Sequence, residues 1–176
     1  MNLVLIGYRG AGKSSVAKIV ASRLSRPAIS TDAEIIARAK CSIPDFVRQF
    51  GWDRFRDLES DVCREVSNRN GLVIDTGGGI ILREQNIKAL KANGRLFWLT
   101  AEVETIRRRI GDDTHRPSLT GGKSFTDEIE EVLRERGPIY QAAADDVIAT
   151  DGRRPVEVAE AVFTRFKEVS GGVIPT

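Results

Sequence analysis

Five short apolar runs alternate along the chain with longer stretches in which apolar residues recur every three or four positions. The apolar runs, at residues 3–6, 27–30, 72–75, 96–99 and 146–149, are the length of buried strands, the second being the weakest. The intervening periodicity predicts helices over 14–24, 32–39, 43–50, 54–68, 83–92, 102–110 and 126–143, and a last helix over 155–169. Strands separated by helices make βαβ units, hence a five-stranded parallel sheet covered on both faces: an α/β, three-layer architecture. Two segments interrupt the rhythm. Residues 38–69 insert extra helix between the second and third strands. Residues 111–124 are polar, contain Gly111, Gly121, Gly122 and Pro117, and read as a mobile loop. No repeat or interdomain linker is visible, so residues 1–170 read as one domain and 171–176 as a flexible tail.

Composition narrows this picture without redirecting it. The 176 residues suffice for one sizeable core, since folding at this length buries roughly 70% of the unfolded chain's surface. A net charge of +2, with arginines scattered among carboxylates, gives no reason to expect nucleic acid. No stretch approaches the ~20 apolar residues of a membrane span. The first strand starts at the first residues, so no signal peptide is expected. Cys41 and Cys63 fit no metal-ligand spacing, and His115 is the only histidine. Reduced structural thiols in a cytoplasmic protein are the expectation.

The first strand runs directly into Gly7-Tyr8-Arg9-Gly10-Ala11-Gly12-Lys13-Ser14, a G-x-x-x-x-G-K-[ST] loop followed by a helix. In that strand–loop–helix context, glycines let backbone N–H groups turn toward phosphate oxygens, and the helix N-terminus adds its positive dipole end. Lys13 is then placed for the β- and γ-phosphates and the Ser14 hydroxyl for Mg²⁺. The chain is expected to bind a nucleoside triphosphate.

Ligands of open α/β sheets gather at the C-terminal ends of strands, and the remaining strand ends are informative. The second ends in Ser30-Thr31-Asp32, where Asp32 is placed either to cap a helix or to accept a hydrogen bond from an incoming hydroxyl. The third ends in Asp75-Thr76-Gly77-Gly78-Gly79. One glycine suffices for a turn; three, at their cost in backbone entropy, suggest a backbone lying close against a ligand. Asp75 has the form of a carboxylate beside the Mg²⁺ site of a phosphate-loop protein. Within the inserted helices, Arg56 and Glu59 share one helical face, an arrangement that on a surface contributes little. Arg116 and Arg136 each precede a proline-containing turn. Each arginine alone is compatible with a solvated charge. The residues by themselves support a small-molecule kinase with an anionic acceptor.

Taken together, these motifs resemble the shikimate kinases, small phosphate-loop kinases of aromatic amino-acid biosynthesis. The resemblance runs from Met1 to about Phe166 in the family's order and approximate spacing. It implies the phosphate-loop kinase fold, with residues 38–69 as the acceptor-binding region and 111–124 as a lid. It also implies ATP and Mg²⁺ as cofactors and transfer of a phosphoryl group to the 3-hydroxyl of shikimate. By the same resemblance, Gly10, Ala11, Gly12, Lys13, Ser14 and Ser15 hold the nucleotide, and Asp32 binds the acceptor hydroxyl as its general base. Arg56 and Arg136 grip the shikimate carboxylate, Glu59 orients the site, and Gly77, Gly78 and Gly79 contact shikimate through their backbone. Arg116, beside Pro117 in the lid, reaches the transferring phosphoryl group. Arg109, Arg153 and Pro155 pack the adenine ring. A monomer acting on a small molecule, without nucleic acid or membrane, is expected.

The pattern departs from the family at two places. The family's D-x-D at the end of the second strand reads Ser30-Thr31-Asp32 here, and Asp75 stands where a small residue is usual. We expect Asp75 to supply the missing outer-shell carboxylate; the alternative is a strand-end cap and weaker metal binding. Val47 occupies a position where an aromatic often packs on the substrate ring, and Phe46, Trp52 and Phe55 are either its replacement or core. Two other functions fit parts of the chain: a gluconate-type kinase, or a silent binding protein of shikimate-kinase shape.

Overall fold

The structure, a computed structural model, describes residues 1–111 and 125–171. The expected lid arginine Arg116 and all of the expected lid but Gly111 lie outside the described residues, as do His115 and positions 172–176.

Five parallel strands form a single sheet in the order β2-β3-β1-β4-β5. They span Asn2–Ile6 (β1), Ala28–Ser30 (β2), Val73–Asp75 (β3), Gly94–Thr100 (β4) and Asp146–Ala149 (β5). β4 is longer than its apolar run suggested, because Gly94 and Arg95 pair with Asn2 and Leu3 although neither is apolar. The central strand, β1, is buried throughout, and its alternate residues serve different cores. Leu3 and Leu5 face Val16 and Val20 of α1 (Lys13–Leu24) and Val158, Val162 and Phe166 of α7 (Pro155–Ser170). Val4 and Ile6 face the opposite side, which holds Ile35, Val62, Val66, Leu90 and Tyr140. That period-two division on a continuously apolar strand produces the three layers.

The second layer is built from α2 (Thr31–Ala39), α3 (Ile43–Ser67), α4 (Glu84–Asn93) and α6 (Phe125–Ala143); α5 (Val103–Ile110) packs beside α6. The two helices expected over 43–68 abut without a loop, the break being Gly51, whose φ of 81° only glycine adopts readily. Pro138, expected to sit in a turn after Arg136, instead lies inside α6. The fully buried Tyr140 ring stacks on Trp98 at 5.6 Å, packing that offsets the backbone hydrogen bond a proline removes. A short 3-10 helix over Ile80–Leu82, not foreseen, follows the three glycines.

Candidate active site

The C-terminal ends of β1, β2 and β3 open together into a cavity of about 610 Å³ whose wall includes the phosphate-loop residues Arg9 to Val16. The loop's course depends on glycine at Gly10 and Gly12, with φ of 80° and 92°. At Gly10 a side chain is excluded twice, since a Cβ would lie 2.8 Å from Ile110 Cγ1. The largely buried Lys13 ammonium donates to the carbonyls of Gly7 (2.8 Å) and Tyr8 (3.1 Å), which folds it back over its own loop. The backbone N–H groups at the start of α1 and this ammonium line a pocket suited to an anion.

At the edge of the cavity Ser14 Oγ donates to Asp75 Oδ2 at 2.6 Å. Asp75 is largely buried and lies beside Ser30, its register partner across β2 and β3. Ser30, which also lines the cavity, accepts from Ala33 N at 3.3 Å through its Oγ as the N-cap of α2. Of the two roles open to Asp32, capping thus falls to Ser30, and Asp32 sits in the first turn of α2 and lines the cavity. A hydroxyl and a carboxylate in contact are hard oxygen donors of the kind that Mg²⁺ and its waters take, so this corner fits that ion.

The acceptor side is assembled around the three glycines. None of them has a positive φ, so the reason for glycine is space rather than conformation. A Cβ on Gly77 would lie 2.5 Å from Asp32 Oδ1, and one on Gly79 would fall inside the Arg56 guanidinium. The expectation that the triplet clears room for a ligand is thus refined, since two of its members clear room for the protein's own functional side chains. Thr31 Oγ1 accepts from Gly77 N at 2.9 Å, tying the turn to the start of α2. Gly78 O accepts from the Tyr140 hydroxyl and, at 3.4 Å, from Arg136 Nη1.

Arg56 pairs with Glu59 at 2.6 Å, and this is no surface pair: the Glu59 side chain is 1% exposed. Burial pushes the Glu59 carboxyl above its ordinary value, an effect opposed by Arg56 and Arg136 and reinforced by Asp32. The Arg56 guanidinium also lies over the rings of Phe55 and Trp52, at 5.1 and 5.3 Å from their centroids. Trp52 and Phe55 are therefore neighbours of the acceptor site, whereas Phe46 packs on Phe50.

Opposite these groups, Arg109 donates to Thr150 Oγ1 (2.8 Å), Thr150 O (2.7 Å) and Gly10 O (3.3 Å). Arg153 donates to the carbonyls of Ala149 and Glu157. With Pro155 they line the far end of the cavity, where flat guanidinium planes suit a purine ring.

Sequence reasoning passed over Arg9, which lines the cavity and pairs with Glu128 of α6, and Thr31. Arg9 lay within a motif read only for its glycines, lysine and serine. Thr31 stood between two residues that drew attention. Cys41 and Cys63 are free thiols that do not line the cavity, and burial pushes Cys63 up to about 11.

Comparison with known proteins is consistent with this geometry. The shikimate kinase family model matches residues 9–167. The shikimate kinase of Thermodesulfovibrio yellowstonii is 37% identical over 171 residues, covering 97% of this chain and 98% of the relative. That of Nitratidesulfovibrio vulgaris is 42% identical over 150 residues, covering 84% and 85%. Among solved structures, shikimate kinase from Acinetobacter baumannii in complex with shikimate superposes with a TM-score of 0.91 at 29% identity, covering 98% of this chain and 95% of that one.

Proposed function

The chain belongs to the shikimate kinase family, and on that premise we propose that it transfers the γ-phosphoryl group of ATP to the 3-hydroxyl of shikimate. The observation that carries this reading is the meeting of Arg56 and Arg136, from different helices, at one glycine turn beside the phosphate cavity. Two guanidinium forks around a small space suit a carboxylate that is recognised bidentately. A gluconate-type kinase needs the same phosphate loop, but gives no reason for this pair beside three glycines.

The residues then divide the work. Gly10, Ala11, Gly12, Ser14 and Ser15 present N–H and hydroxyl groups to the phosphates, and Lys13 releases its loop carbonyls to neutralise phosphate charge. Ser14, as a ligand, and Asp75, as an outer-shell partner, would hold Mg²⁺, which would neutralise charge on the phosphate oxygens. Asp32, aimed across Gly77 toward the acceptor space, accepts the proton of the attacking hydroxyl. Arg56 and Arg136 orient shikimate by its carboxylate, Glu59 fixes Arg56, and the backbone of Gly77, Gly78 and Gly79 lines the ring. Arg109, Arg153 and Pro155 receive adenine. Arg116, outside the described residues, keeps the role that the family likeness implies, neutralising charge on the transferring phosphoryl group.

Residues 1–170 form the single kinase domain, with 38–69 as its acceptor-binding region. We also infer that the enzyme works as a monomer in the cytoplasm, a reducing compartment that its two free thiols fit. No helix among the described residues is long and apolar enough to cross a membrane.

Coupled ADP release measured with shikimate, gluconate and quinate as acceptors tests the assignment. Turnover restricted to shikimate is expected; faster turnover of gluconate would replace it, and turnover of none would mark a silent binding protein.

A further inference from the structure

The loop between β1 and α1 is fastened to α6 at two adjacent points. Tyr8, 2% exposed, inserts its ring among Ile106, Ile129 and Val132. Arg9 Nη2 lies 3.2 Å from Glu128 Oε1, with the Arg9 side chain 13% exposed and that of Glu128 3%. A carboxylate buried to that degree is costly without a cation, and a cation that pairs with it, Arg9, belongs to the wall of the phosphate cavity. Further along, α6 reaches the acceptor side, where Arg136 and Tyr140 donate to Gly78 O. One helix therefore grips the donor loop near its start and the acceptor turn near its end.

We propose that Arg9 and Glu128 are a positioning pair that sets the phosphate loop at a fixed distance from the acceptor turn through α6. Phosphoryl transfer depends on alignment of the attacking and leaving oxygens more than on covalent help from the protein. Neither Arg9 nor Glu128 has to touch a substrate to matter in this way. Glu128 holds the Arg9 guanidinium, the guanidinium holds the first half of the loop, and Tyr8 prevents that half from rotating. Loss of the charge pair leaves both binding sites present and lets the distance between them vary.

The inference rests on the kinase reading, and wild-type turnover of shikimate tests that reading separately. Given that turnover, Glu128→Gln, Arg9→Met and the double variant are compared by steady-state kinetics, by ADP binding in the absence of turnover and by thermal unfolding. A misplacement of the order of an ångström costs up to about 100-fold. Each single variant is therefore expected to lose about 10- to 100-fold in kcat. KM for both substrates and affinity for ADP should stay within about threefold of wild type. The double variant should be no worse than the worse single one, because the two residues act as a unit. Arg9→Lys, which keeps the charge, should recover part of the loss. Unchanged kcat with a lowered unfolding temperature would make the pair structural only. A weaker KM for ATP matched by weaker ADP binding, from Arg9→Met alone, would make Arg9 a phosphate ligand. Either result overturns the proposal.

Discussion

The donor and acceptor halves of this site share the ends of adjacent strands yet are made in opposite ways. The donor half is one run of residues, Gly7 to Ser15, whose binding groups are mostly backbone held by glycine conformations. The acceptor half gathers Asp32 from α2, Arg56 and Glu59 from α3, three glycines after β3 and Arg136 from α6. Its binding groups are side chains, and its glycines serve by lacking one. A phosphate chain presents oxygens that backbone N–H groups can meet in many proteins, so a local solution works. A ring with a carboxylate and several hydroxyls demands groups arriving from several directions, and only tertiary structure supplies those.

That contrast is open to direct attack. The largest effect belongs to Lys13→Ala, which removes a cation aimed at transferring oxygens. A fall in kcat of at least about 10²–10³-fold is expected. Shikimate binding and the unfolding temperature should remain near wild type, and wild-type turnover would break the donor assignment. Next comes Arg136→Lys. An ammonium keeps the charge but loses the fork, and a charge-assisted hydrogen bond is worth about 1.5–3 kcal/mol. KM for shikimate should therefore rise about 10–100-fold with KM for ATP unchanged. Equal losses for the two substrates would erase the division into halves.

Asp75 sits on the border and sharpens the comparison. Asp75→Asn should raise the Mg²⁺ concentration needed for half-maximal activity by about 10-fold, the low end for an outer-shell partner. It should weaken Mn²⁺ binding, read by electron paramagnetic resonance, to the same extent. Ser30→Asp in the same chain should recover part of that loss, since Ser30 and Asp75 are register partners. Added to the native protein, Ser30→Asp should help little, because adjacent carboxylates repel. Additive behaviour would return Asp75 to a capping role.

The smallest effect concerns Glu59. Its folded-state value is raised above the ordinary 4.5, mainly by burial. The folded protein thus binds a proton that the unfolded chain has already released, and stability from this group falls as pH rises through the window between the two values. Glu59→Gln should flatten stability against pH just above 4.5, read from denaturation midpoints at several pH values.

The same contrast explains what could be read from the chain alone. The inner strands β1 and β3 were legible because parallel strands buried on both faces are short continuous apolar runs, and β2, a partly exposed edge, gave the weakest signal. The donor half was legible because its physics is local. Asp32, the three glycines, Arg56 and Arg136 could be singled out from the chain, but their roles came only through likeness to a family, and of their mutual contacts local spacing reached only Arg56 with Glu59. Nothing near Arg56 in sequence announces that it fills the space over Gly79. The cap of α2 could not be settled between Ser30 and Asp32 because both residue types cap helices well, and Ser30 takes that place. The turn expected at Pro138 failed because local proline chemistry was outweighed by the burial of Tyr140, which α6 delivers. The helical turn over Ile80–Leu82 was hidden by following glycines directly, with no polar residue to mark its start.

Gly78 has a consequence for anyone redesigning this enzyme. A Cβ there would stand 3.4 Å from both Arg9 N and Gly7 O, so the partition between the two halves is a single strip of main chain with space for a methyl group and little more. At Gly78 itself, a substitution larger than alanine would press on the main chain of Gly7 and Arg9. The adjustable parts are the residues that hold its carbonyl from behind, Arg136 and Tyr140. Spacing across the site is thus inherited from a helix that lies outside the partition, and altered acceptor preference is to be sought there.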